Sequence, residues 1–205
     1  MKVKKHNLLI ALIGISCIFL LYGCQKEEVP VSLSKIGVAP YMLSEEDRYI
    51  LDSFGMSDTS QIILFNAPEE AVTLEVNLYR LGSGGTWEDI SNGCIFIGEE
   101  RETVKQLTGN VAIQLRDDYS IDFQINAAGS VSFQSEPVQL DQEMKASVKG
   151  FLTDFQNMEL NEEIPVAIMV YDDGNHMQSY TTEDYFQPSK FEGMGLVQAV
   201  TLRCR

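Results

Sequence analysis

Imidazole is nearly missing from this chain, and its scarcity shapes every catalytic reading. Only His6 and His176 occur in 205 residues. A serine or cysteine nucleophile needs a base beside it, most often histidine. His176 follows Asp172-Asp173-Gly174-Asn175, so an aspartate could orient it for proton transfer. No Gly-x-Ser-x-Gly turn accompanies it, and no second histidine survives near it to share a zinc ion. The same stretch reads more simply as a tight turn, because Asp, Gly and Asn accept turn geometry. Between strands at Ile164–Tyr171 and Met177–Tyr180 it would be a hairpin loop with His176 at the surface. No catalytic residue is assigned.

Other residue types suggest binding more than turnover. Asp172, Asp173 and Asn175 offer oxygens to calcium, a hard cation that takes 6–8 such ligands. Asp117-Asp118 is a weaker candidate of the same kind, and neither has the spacing of an EF-hand. No other cofactor is implied. Gly82-Ser83-Gly84-Gly85 lacks the following helix that a phosphate-cradling loop requires. Trp87, Tyr79 and Tyr119, with Tyr171, Tyr180 and Tyr185, are candidates for a sugar- or peptide-binding face, or for packing between strands. Cys94 and Cys204 could form a disulfide, or each could be a small buried hydrophobe. A carboxylate pair for glycoside hydrolysis could come from any two of 30 acidic residues, so spacing singles out none.

One cysteine carries a sharper signal. Lys2, Lys4 and Lys5 precede an apolar run from Leu8 to Tyr22, the layout of an export signal. At about 15 residues the run is short of the roughly 20 that span a bilayer. It closes on Leu21-Tyr22-Gly23-Cys24, which resembles the lipobox of bacterial lipoproteins. Tyr22 departs from that pattern, which favours a small residue there. The resemblance covers only this leader and implies cleavage before Cys24 with a diacylglycerol on its thiol. Two acyl chains hold a protein stably at a membrane surface, whereas one does so only marginally.

Charge narrows the partners. The chain has 15 basic and 30 acidic residues, a net −15, and cleavage would remove three lysines more. Such a surface repels nucleic acid, which is excluded as a partner. The length beyond Cys24 suits one domain and buries enough surface to fold without staples.

The elements around these residues are mostly strands. Residues 24–40 read as a flexible tether and 41–205 as one domain, after a leader at 1–23. Ser44 caps an expected helix within Tyr41–Gly55, where Ile50, Leu51 and Phe54 share one face toward a sheet. Beyond it the period is two: Val72, Leu74, Val76 and Leu78 alternate with polar neighbours, as do Val111–Leu115 and Ile121–Ile125. Asn92-Gly93 predicts a hairpin turn between Trp87–Ile90 and Cys94–Ile97. Gln142–Phe155 fits helix or strand, and Ile164–Tyr171 is apolar enough to be buried on both faces. Short strands with turns at about every 8–12 residues predict an antiparallel β-sandwich, immunoglobulin-like or jelly-roll in order, with one or two short accessory helices.

The expected function is a lipid-anchored extracytoplasmic binding or interaction module of a bacterial cell envelope, held by Cys24. Its partners would be the membrane and an envelope protein or glycan. The alternatives are a surface hydrolase acting on envelope glycans or peptides through carboxylates, and a structural envelope lipoprotein.

Overall fold

The computed structural model describes residues 32–96, 106–174 and 177–205. The leader, Cys24, Asn175 and His176 lie outside the described residues. Apolar–polar alternation produces strands, as period two demands. They are β1 (Gly37–Pro40), β2 (Ser60–Asn66), β3 (Thr73–Leu81), β4 (Trp87–Phe96) and β5 (Thr108–Leu115). Then follow β6 (Ile121–Asn126), β7 (Ser130–Gln134), β8 (Ala146–Phe151), β9 (Glu163–Asp172) and β10 (Leu196–Cys204). Two five-stranded sheets result, sheet one in the order β1-β2-β5-β6-β7 and sheet two in the order β4-β3-β10-β9-β8. Every pairing between these strands is antiparallel. The fold is the expected antiparallel sandwich.

Its main core lies between the sheets, with Ile63, Phe65, Val111, Ile113, Phe123 and Ile125 on one side. Leu74, Val76, Leu78, Val166, Met169, Val200 and Leu202 meet them from sheet two. Sheet two carries a second apolar layer on its outer side. Ile168 and Val170 of β9 and Val197 and Ala199 of β10 lie there under Tyr180 and Phe191. Thus β9 is buried on both faces, which accounts for its nearly unbroken apolar run. Pro165 sits where the β9–β10 register shifts, a place where a missing N–H costs no ladder bond.

Four expectations about the elements need correction. The tether ends before residue 37, because Gly37–Pro40 pairs with β2 and Val38 is fully buried. Gln156 bonds the other side of Val38, with both N–O distances 2.9 Å, so the short edge is sealed. Asn92-Gly93 is no hairpin turn: β4 runs straight through it, opposite Asn77 and Val76. Glycine is needed there for another reason, since a Cβ at Gly93 would sit 2.0 Å from the Phe133 ring of sheet one. The true β3–β4 turn is Gly82–Gly85, closed by Gly82 N–H to Thr86 O at 2.9 Å.

Met177–Tyr180 does not return beside β9, because β8 and β10 already occupy both edges of that strand. Met177 and Tyr180 pack instead on the outer side of sheet two. The helix is also shorter and barer than expected. α1 spans Glu45–Ser53, and none of its residues is buried. Its start is as read: Ser44 Oγ accepts from Asp47 N at 3.1 Å, and Asp47 answers the Ser44 N–H at 3.0 Å.

A chain beginning at Ser32 should give a β-type circular dichroism spectrum and one cooperative melt. Starting at Tyr41 deletes β1 and the burial of Val38, worth about 2 kcal/mol. That chain should melt roughly 4–8 °C lower, and equal melting would show that β1 contributes nothing. Val76→Asp should abolish the cooperative melt, because it buries an unpaired charge in the main core.

Candidate functional site

Two outer faces remain for function, one on each sheet. On sheet two the register aligns Cys94, Glu75, Arg203 and Glu163 in one row across β4, β3, β10 and β9. Arg203 bonds Glu75 at 2.8 Å and lies 3.4 Å from Glu163. Arg205 adds a 2.9 Å pair to Glu75. From the neighbouring aromatic row, Tyr79 donates its hydroxyl to Glu163 Oε1 at 2.5 Å. Tyr185, from the 3-10 helix Thr182–Phe186, donates to Glu163 Oε2 at 2.8 Å. Both carboxylates are therefore engaged by donors on every side. Beneath this layer Asn77 Nδ2 and Thr201 Oγ1 are buried without a hydrogen-bond partner among the described residues.

The candidate aromatics Trp87 and Tyr79 both pack here against Tyr185. The Trp87 indole stacks on Tyr185 with centroids 5.0 Å apart, meets the edge of Phe191, and donates Nε1–H to Tyr185 O at 2.9 Å. Its rings pin the 3-10 segment to the sheet. Tyr119 lies elsewhere, in the β5–β6 turn, edge-on to Tyr171. The Asp117-Asp118 turn is organised internally: Asp118 accepts from Ser120 N–H and Oγ–H, and these bonds hold its carboxyl below the usual range. Asp172 similarly accepts from Gly174 N–H at 3.0 Å. Among the described residues no group of three or more His, Cys, Asp or Glu could hold a metal ion.

The disulfide expectation is corrected. Cys94 and Cys204 are both free, the first exposed and the second buried. They flank β3 on opposite sides, Cys94 opposite Glu75 and Cys204 opposite Leu74. Two strand spacings separate them by roughly 9.6 Å, beyond a disulfide's reach. Glu75 faces out and Leu74 faces the core, so the two side chains also point to opposite faces.

Sheet one presents a different outer face. Ile62, Ala112, Gln124 and Ser132 align across β2, β5, β6 and β7, and beside them run Ser60, Gln114, Asp122 and Gln134. The β1–β2 connection overhangs these rows with Tyr41, Leu43, Leu51 and Met56. Between them lies an open trough of about 710 Å³ with a mostly apolar wall. This is where the expected apolar helix face went: Leu51 lines the trough, while Ile50 and Phe54 stay 54% and 75% exposed. Periodicity disclosed an apolar stripe on α1 but not that space would be left beneath it.

Fold and faces together define a ten-strand antiparallel sandwich with one covered and one open outer side. Comparison with known proteins finds no matching family model, no similar curated protein and no similar solved structure.

The tyrosines make the folded state sensitive to alkali. Tyr171 is pushed up to about 12, by burial first and by Tyr119 second. Tyr79 and Tyr185 move the same way, by burial first and by their bonds to the Glu163 carboxylate next. The folded chain keeps phenol protons that the unfolded chain releases near 10.0. That stability is intact below about pH 10 and declines as pH rises toward 12 and beyond. The urea midpoint should fall over this interval, and less steeply in Tyr171→Phe. Glu163→Gln should let Tyr79 and Tyr185 ionise at lower pH, seen as phenolate absorbance. A midpoint flat across this interval would contradict these assignments.

Proposed function

We propose that this chain is a lipid-anchored extracytoplasmic binding module of a bacterial cell envelope, with the trough on sheet one as its ligand site. The leader, with Gly23-Cys24 at its end, supports the anchor. The trough carries the binding half of the reading. Its volume falls within the 300–1,000 Å³ usual for ligand pockets, and an apolar wall with a few amides and hydroxyls is the usual lining. An acidic chain is also suited to staying clear of anionic headgroups while tethered beside them.

Hydrolysis through Glu75 and Glu163 fits less well. An acid–base pair needs one carboxyl free to exchange a proton with substrate. Glu163 is held by two tyrosine hydroxyls and by Arg203, and Glu75 by Arg203 and Arg205. Their work is to fasten β3, β9, β10 and the 3-10 segment to one another.

A fatty-acid probe fed to producing cells should label the wild type and miss Cys24→Ser. The variant should also leave the membrane fraction. Equal labelling, or a mature N-terminus away from residue 24, would remove the anchor from this proposal.

A further inference from the structure

We infer that the trough on sheet one takes an uncharged amphiphile, an aliphatic chain joined to a hydroxyl- or amide-bearing head. This rests on reading the trough as the ligand site. Leu43, Leu51, Met56 and Ile62 are aliphatic, flexible and unable to hydrogen-bond, so they suit methylene groups. A sugar would need flat aromatic faces; of the four aromatic residues on the lining, Phe123 and Phe133 are stacked on each other, which leaves Tyr41 and Phe151. Asp122 apart, the opposite rim is a comb of uncharged donors and acceptors. The Gln114 side chain makes no hydrogen bond to another described residue, and Gln134 uses one amide hydrogen on Ser120 Oγ at 3.3 Å.

Charge completes the choice. Asp122 is the one ionisable carboxylate on the wall, and Arg116 answers it through Nε at 2.8 Å. Among the described residues no Lys or Arg lines the trough, so an anionic head would find no cation on its wall. A cationic head would find its only carboxylate already paired. An uncharged head loses nothing by either count. From β2 to β7 the rows cross three strand spacings, about 14 Å, which sets the longest chain the trough holds.

The wall is also movable. α1 has no buried residue and touches the sheets only lightly, so it can settle onto a chain laid along Ile62 and Ala112. A seated chain would be covered by Leu51 from above and by the sheet from below.

Titration calorimetry on the full chain in neutral lipid nanodiscs tests this, with Ala112→Trp discs as the control for partition into lipid. Ala112→Trp fills the trough on an outward position and should keep the wild-type melt. Octanoyl, decanoyl and dodecanoyl monoglycerides should bind above this control, tightening about tenfold for every two methylenes until the trough is full. Alkyl sulfates of matching chain length should bind at least tenfold more weakly. Leu51→Asp, on an unburied helix, should weaken the monoglycerides at least tenfold without moving the melt. Maltotetraose and an uncharged Ala-Leu-Ala-Leu peptide complete the set. If either of these binds in a way that Ala112→Trp blocks while monoglycerides do not, the ligand class is wrong and the binding-module reading survives. If nothing binds above the control, both fall.

Discussion

The sandwich depends on β10. The last strand of the chain lies in the middle of sheet two, with β3 from the first half on one side and β9 on the other. Without it, β3 has only β4 as a partner and β9 only β8. The join is fastened at the very end, where Thr73 and Arg205 exchange two backbone hydrogen bonds of 2.9 Å and Val72 adds a third to Arg205 O. Side chains reinforce the same seam, Arg203 and Arg205 on Glu75 and Arg203 on Glu163. Pairing residues this far apart requires a large loop to close before any contact rewards it. Joining the two halves of sheet two therefore costs more loop closure than the β5–β6–β7 meander of sheet one, which needs only short turns.

That central seam also explains why the two outer faces differ. Sheet two is broad and apolar around Ile168, Val170, Val197 and Ala199, and the chain between β9 and β10 folds over them. Trp87 and Tyr185 clamp this cover, and Asp184 holds it from within through Thr181 N–H at 2.8 Å and Lys190. Burial opposes the Asp184 charge, but Lys190 and Thr181 outweigh it and draw its carboxyl below the usual range. Sheet one has amides and hydroxyls at the corresponding outer positions, so water can face it without a cover. Among the described residues the β1–β2 connection leans over it, and incompletely.

Local pattern made the framework legible in the sequence. Period-two alternation is a property of a strand with one wet face, so β3, β5 and β6 could be read directly. β9 could be read as doubly buried because no polar residue interrupts its middle. What escaped were features set by neighbours distant in sequence. Asn92-Gly93 looks like a turn by itself, yet the ring of Phe133 and the register with β3 decide its shape. Asn77 alternates correctly as an outward polar residue, yet it is only 2% exposed under the Tyr79–Glu163 layer. The aromatic residues could be counted, but which would stack and which would stay free depends on the fold of the 3-10 segment. Of the candidate site, the use of Trp87 and Tyr79 in packing was foreseeable and the trough was not, since it is bounded by pieces from five strands and a connection.

The helix beside the trough poses a balance that decides how open that face stays. Nine residues are fewer than the roughly 12–15 at which an isolated helix becomes even marginally stable. α1 buries nothing, so packing does not compensate. Its ends do: the Ser44–Asp47 box satisfies N-terminal groups, and Gly55, at φ 66, lets Gly55 and Met56 N–H return to Asp52 O and Leu51 O. Outside the helix, Tyr41 N–H bonds Ile62 O at 2.8 Å and Ser60 Oγ bonds Met56 O at 2.7 Å, fixing both ends to β2. The element is thus held at its termini and unsupported along its length. Such an element can approach or leave the sheet without breaking a core contact. The exposed areas of Ile50 and Phe54 are the standing cost of its present position, and any apolar body laid against Leu51 and Ile62 shifts the balance toward closure.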